Sequence, residues 1–445
     1  MSYNSRSLRD FIFDYEPPEG VSSPADYAYL IMMRHLLSVI SSWPLKILDP
    51  TDTGAIQRRK IWVSFQRFCH MALCLSCFVG ALMYVMLHKK SMTFFELGDL
   101  YIALLMICLI FSRITTLCFS DEYVVVARDF LEKLHLFFYK DRSEYSMQTH
   151  KQVHRIAHLF TMYLVIQMLA GLFLFNVIPM YNNYSAGNYA SGGLKGNATY
   201  EHALYFSYPF NASGDLKWYI FANILHWFMS YDTATWFCVH DCFLSLMVFH
   251  IWGHFKILLY NLEHFPRPAN KTSFIPENSN TTLTYEMYTE NEQKNVGVKL
   301  GELINYHRDI ISFTDKMSEV FGPMLFAYYG FHQASGCLLL LECSQMTAAA
   351  LIRYLPLTII LFQQLIQLSI IFELIGSISD RLKFAVYGLP WESMDKKNRR
   401  TVAFFLMNVQ EPVHVKALGL ADVGVTSMTA ILKTSFSYFT FLKSM

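Results

Sequence analysis

His150, His154 and His158 recur at four-residue intervals, and His250 and His254 repeat that spacing further along the chain. Residues four apart share one face of a helix, so each set can offer imidazoles to a metal ion. The ligand set is incomplete, because no paired His-His and no suitably spaced carboxylate accompanies it. Packing and interfacial hydrogen bonds account for the same histidines without a metal. Asp232 and Asp241 are a second candidate. A carboxylate at membrane depth is expensive, so the pair reads as part of an ion path or inter-helix network, or as a polar pair just past the membrane boundary. The second is the simpler expectation. Near the end of the chain Thr426, Ala430, Lys433, Ser437, Thr440 and Ser444 recur at intervals of four, three, four, three and four. That spacing lays small and polar groups along one stripe of an otherwise apolar helix. Such a stripe suits a water-filled pore and, equally, a close helix–helix seam. No phosphate-cradling Gly loop or Gly-x-Ser-x-Gly turn occurs.

The chain that must position these groups is built for a bilayer. Of its 445 residues 53% are hydrophobic and only 16% charged, where soluble domains average about a quarter charged. A net charge of +1 gives no bulk electrostatic reason to bind nucleic acid. Of the nine cysteines only Cys343 falls near a span end expected outside, which argues against a disulfide framework. No secretory signal is legible at the start; residues 27–40 instead read as an amphipathic helix, either at the membrane surface or packed on the protein. Stretches long enough to cross lie at 68–87, 98–119, 158–180, 218–240 (with its helix able to continue to 260), 320–341, 350–375 and 420–442. The expected fold is all-α, a seven-transmembrane helical membrane protein.

Lys and Arg collect before the first stretch (Arg58, Arg59, Lys60, Arg67) and in the second and sixth loops. The third loop, 181–217, holds few cations and three acceptor sequons, at Asn183, Asn197 and Asn211. Positive loops stay inside, so the N-terminus is expected inside and the C-terminus outside. Lys89, Lys90 and the sequons at Asn270 and Asn280 run against that scheme. The expected units are a cytoplasmic segment 1–60, spans one to four over 61–260, a cytoplasmic loop 261–316, spans five and six over 317–376, a cytoplasmic segment 377–417, and a last span over 418–445. Aromatics crowd the outer halves of several spans: Tyr101, Phe173, Phe175, Trp218, Tyr219, Phe221 and Tyr354. They read as a dry ligand pocket or as an interfacial belt.

Four stretches carry a resemblance that covers essentially the full length. They are Lys433-Thr-Ser-Phe-Ser-Tyr-Phe-Thr-Phe-Leu-Lys-Ser-Met445, Arg34-His-Leu-Leu-Ser-Val-Ile-Ser-Ser-Trp-Pro44, Tyr387-Gly-Leu-Pro-Trp-Glu392 and Ala203-Leu-Tyr-Phe-Ser-Tyr-Pro-Phe210. The chain resembles the insect odorant receptors, and most of all a tuning receptor of moths, pheromone receptors included. It lacks the long loop insertion and closing residues of the shared co-receptor. The resemblance implies an odorant-gated, non-selective cation channel of four subunits around one pore, assembled with co-receptor subunits in the plasma membrane of olfactory sensory neurons. It implies no enzyme activity and no cofactor. Carried onto this chain, the pore and gate fall to Lys433, Ser437, Phe441, Ser444 and Met445. The anchor below the membrane would draw on 395–410, and the ligand pocket on Tyr101, Leu105, Phe173, Phe175, Phe221 and Tyr354. Two other classes stay open on the residues alone: a His-box membrane metalloenzyme of the desaturase or hydroxylase kind, and a G-protein-coupled receptor of opposite orientation.

Overall fold

The computed structural model describes residues 17, 20–43, 53–88, 94–189, 199–269, 271–274, 283–344 and 348–444. Its helices are α1 (Ala28–Val39), α2 (Thr53–His88), α3 (Phe94–Phe119), α4 (Asp121–Asp129), α5 (Glu144–Ser185), α6 (Leu216–Glu263), α7 (Glu290–Cys343), α8 (Ala348–Asp380), α9 (Leu382–Tyr387), α10 (Lys396–Asn408) and α11 (Val425–Ser444). Two antiparallel two-stranded ribbons interrupt them: β1 (Lys271–Phe274) with β2 (Leu283–Glu286), and β3 (Lys416–Ala417) with β4 (Ala421–Asp422). Side-chain caps begin several helices. Ser143 Oγ accepts the Ser146 N–H at the start of α5, and Asp395 accepts the Asn398 N–H at the start of α10. Thr289 and Glu292 form a reciprocal capping box at the start of α7. The stretch expected as a loop over 261–316 is therefore helical from Glu290 onward.

Among the described residues six helices, from α2 to α8 without the short α4, are long and apolar enough to cross a membrane. The seventh expected span, α11, has the length, at 20 residues, but its Ser, Thr and Lys content keeps it out of that group. Prolines sit inside α5 (Pro179), α7 (Pro323) and α8 (Pro356). Membrane helices tolerate them where neighbours re-satisfy the freed carbonyls. The apolar window of α6 is 89% buried while that of α2 is 11% buried, so α6 is the hub and α2 the rim. Around α6 pack α5, α7 and α8, and α7 in turn touches α3, α8 and α11.

The short helices pack on the long ones: α1 on α5 and α6, α4 and α10 on α7. Tyr29, Leu30, Met33 and Leu37 of α1 are buried against α5 and α6, so the segment expected at 27–40 packs on protein. Beneath it the histidines meet. His150 Nε2 lies 3.0 Å from the Tyr27 hydroxyl, and His135 Nε2 lies 2.8 Å from the Tyr29 hydroxyl. The Leu136 N–H donates to His250 Nδ1 at 3.2 Å, and the Tyr306 hydroxyl meets His254 Nδ1 at 2.6 Å. His254 Nε2 donates to the Leu134 carbonyl. Among the described residues no group of three or more ligating side chains could hold a metal. The imidazoles of His135, His150, His250 and His254 bond tyrosines and backbone instead.

His135 accepts the Phe137 N–H at Nδ1 and so can donate only from Nε2, which fixes it neutral. Burial first, and then the imidazoles of His250, His150, His154 and His254, hold it well below its ordinary value. An unfolded chain protonates this histidine near pH 6.5 while the folded one resists. Stability from this group is thus present above about pH 6.5 and is lost as pH falls below it. Thermal unfolding of detergent-purified protein should show a melting temperature that falls between pH 6.5 and 5. In His135→Gln that acid slope should flatten; an unchanged slope removes the knot from the acid response.

Candidate functional site

At the junction of α3, α6 and α7 a guanidinium is buried in the bundle. Arg113 of α3 donates from Nη2 to Asp241 of α6 at 2.8 Å, and from Nη1 to the Trp236 carbonyl at 3.1 Å and to the Phe237 carbonyl. Its carbon stands 4.9 Å from the Phe237 ring and 5.7 Å from the Tyr328 ring of α7. Asp232, nine residues earlier on α6, meets His70 of α2 at 2.8 Å. The two aspartates therefore join helices, each to a different neighbour. Both aspartates thus belong to an inter-helix network, since a buried carboxylate is stable only beside a partner.

A second cluster holds the start of α11. Glu373 of α8 accepts the Val425 N–H at 3.0 Å, and the Gly424 N–H donates to the Tyr329 hydroxyl of α7 at 3.2 Å. Tyr329 also meets Ser369 of α8 at 3.3 Å. A carboxylate at a helix N-terminus satisfies an orphan N–H and opposes the helix dipole. A Cβ at Gly424 would come 2.5 Å from that same carboxylate oxygen, so a side chain there would push the Glu373 carboxylate off the Val425 N–H. Higher up, Gln333 of α7 donates to Ser435 of α11 at 3.4 Å, and Phe362 of α8 stacks on Phe436. These contacts use one side of α11. Its other side is bare: Thr426, Ala430, Lys433, Ser437 and Thr440 are all exposed in the single chain.

The end opposite α1 is capped by residues 199–215. The Ser207 N–H bonds to the Gly80 carbonyl of α2 at 3.3 Å, and the Tyr208 hydroxyl meets His226 of α6 at 2.8 Å. Burial pushes His202 down to about 4, so this cap packs as neutral aromatic matter. Asn183 ends up inside α5, 1% exposed, with its amide nitrogen donating to the Glu201 carbonyl and the Tyr219 hydroxyl. The cap thus encloses the side-chain nitrogen that a glycan on Asn183 would use. Asn211 is exposed; Asn197, Asn270 and Asn280 lie outside the described residues.

The structure does not gather the six expected pocket residues. Tyr354 points fully inward and Leu105 packs partly against the core. Phe173 is 58% and Phe221 54% exposed, and Tyr101 and Phe175 also face outward. Phe173 touches Trp227, and Phe221 touches Phe210 and Trp218. In lipid both faces of a helix are apolar, so the sequence gives no sign of which way these rings turn. Phe441 is exposed near the end of α11; Ser444 ends that helix, and Met445 lies outside the described residues. Two residues that mattered were missed. Arg113 and Glu373 are charges inside apolar stretches, and an intramembrane ionisable group is itself the signal of a functional partner.

A bundle of membrane-length helices with buried ion pairs and one polar-striped helix defines a multi-pass membrane protein. The chain belongs to the 7tm odorant receptor family, whose model matches residues 95–436. That family is one of odorant receptors, not of enzymes. Odorant receptor 67a of Drosophila melanogaster is 32% identical over 157 residues, 33% of this chain and 36% of that one. Odorant receptor 13a of the same fly is 22% identical over 251 residues, 53% of this chain and 56% of that one. The matches thus span between about a third and a little over half of those relatives. Olfactory receptor OR5 of Machilis hrabei shares the fold, with a TM-score of 0.70 at 12% identity over 93% of this chain and 97% of that one. A second structure of that receptor, in complex with eugenol, gives a TM-score of 0.69.

Proposed function

We propose that the chain is the odorant-binding, tuning subunit of an odour-gated cation channel in the plasma membrane of olfactory sensory neurons. It assembles with co-receptor subunits around a pore lined by α11. The observation that carries this reading is the stripe Thr426, Ala430, Lys433, Ser437 and Thr440, exposed on a membrane-length helix. A lysine and three hydroxyls turned to lipid would be costly, whereas water in a shared pore satisfies them. Phe441 near the end of the helix and Met445 beyond it then shape the gate. The N-terminus lies inside the cell, and the capped end faces out.

The ligand is a small, largely apolar volatile, as eugenol is for the Machilis receptor. Tyr354 and Leu105 are the expected pocket residues best placed to touch it, since they point inward. Long pheromone-like chains with one weak polar end fit the same chemistry. Whole-cell recording from cells expressing this chain with a co-receptor tests the reading. Volatile apolar compounds should evoke a cation current, and Lys433→Glu should raise the preference for cations over anions. Surface-exposed complex that no such volatile opens would end it.

Glycosylation is expected at Asn211 of the outward cap. Asn211→Gln should increase gel mobility by one glycan, and Asn183→Gln should leave it unchanged. The reverse pattern would invert the assignment of these two asparagines.

A further inference from the structure

Four buried polar atoms at the α3–α7 seam have no protein partner among the described residues: Arg113 Nε, the Tyr328 hydroxyl, and both ring nitrogens of His332. All three side chains are essentially inaccessible. They are also contiguous. The Arg113 guanidinium stands 5.7 Å from the Tyr328 ring, and that ring stands 4.2 Å from His332. Tyr328, His332 and Ser335 follow at four and three residues, so they share one face of α7. The Ser335 hydroxyl, too, is buried without a partner. One orphaned polar atom is tolerable in a native protein. A contiguous group of them is not, because each carries its own desolvation penalty against a marginal total stability.

We propose that this seam binds a small uncharged guest through an oxygen atom. The oxygen accepts from the Arg113 Nε–H and the Tyr328 hydroxyl and shares a hydrogen bond with His332. An anion is disfavoured, because Asp241 already answers the guanidinium charge at 2.8 Å. Two sources supply such an oxygen: water, and the polar end of an odorant. The odorant source rests on the receptor reading above; the water source does not. The consequence concerns α7. Its Tyr328 and His332 meet the guest, while the next residues along, Tyr329 and Gln333, bond to Gly424 and Ser435 at the other helix. At this seam the polar link of α3 to α7 thus runs through an exchangeable guest, beside the direct packing of the two helices, while the polar link of α7 to α11 is direct. At Tyr328 and His332 a shift of α7 against α3 exchanges hydrogen bonds with the guest.

Hydroxyl-radical footprinting of the full-length protein in nanodiscs tests the site, with rates normalised to the denatured chain. Water activated in place should oxidise Tyr328 and His332 at least fivefold faster than the equally buried Phe321 and Phe372. Adding 1-octanol, with octane as control, separates the sources. Label kept in octanol assigns the oxygen to water, and label lost in octanol but kept in octane assigns it to the ligand. Rates at Tyr328 and His332 equal to those of Phe321 and Phe372 in all three conditions would overturn the site. The labelling without octanol reads the site whether or not any odorant opens the channel.

Discussion

Arg113→Met is expected to remove folded protein from the cell surface, and Arg113→Met with Asp241→Leu to restore most of it. The single change leaves the Asp241 carboxylate buried without its 2.8 Å partner. Breaking one side of a buried pair costs about 3–5 kcal/mol, against a total stability of about 5–15 kcal/mol. Replacing both partners by apolar groups of similar volume removes the uncompensated charge, and such exchanges are neutral or better. The carbonyls of Trp236 and Phe237 that Arg113 also bonds keep their own helical partners, so the double variant strands no acceptor. Surface biotinylation and fluorescence size-exclusion profiles of the two variants decide the matter. Equal loss in single and double variants would show that the pair holds the helices by more than charge compensation.

The second large effect is expected at Glu373. Its carboxylate bonds the first N–H of α11 at 3.0 Å and lies where the helix dipole is positive. Loss of such a contact is worth about 1–2 kcal/mol, which is about a tenfold change in an equilibrium between two positions of the helix. Glu373→Ala should therefore move the midpoint of the odorant concentration–response curve by about tenfold, or appear as current without odorant. Glu373→Gln keeps an acceptor without the charge and should fall between. Recordings with matched surface expression make the comparison. A midpoint within twofold of wild type in Glu373→Ala would remove the carboxylate from the control of α11.

Much of the fold was legible beforehand, for a reason particular to membranes. A bilayer demands long apolar runs, and runs of that length survive in composition whatever the tertiary arrangement. The six crossing helices fall where the apolar stretches lie, though α5, α6 and α7 extend well beyond them as continuous helices. The continuation of α6 toward Tyr260 was legible as an unbroken apolar run, whereas those of α5 and α7 were hidden because their polar flanks read as loops. The candidate site was far less legible. The α11 stripe was visible, because one polar face on an apolar helix is a pattern in the sequence itself. The pocket residues were not: Phe173 and Phe221 match Tyr354 in chemistry and differ only in which way they face. The histidine spacing was read correctly as a shared helix face, and the partners on that face proved to be Tyr27, Tyr306 and backbone groups from other segments.

By itself, the sequence determined that this chain crosses a membrane, that its last helix carries a polar face, and which family it resembles. Each of these is written in local order: run length, residue spacing, contiguous motif. The tertiary structure alone decided that Asp241 answers Arg113, that Glu373 caps α11, that Asn183 is enclosed, and which aromatic rings point inward. Partners 52 to 128 residues apart leave no periodic trace in the chain. In a medium as apolar as the protein's own core, the helices' inner and outer faces do not differ enough in composition to reveal their rotation. Only the packed bundle sets it.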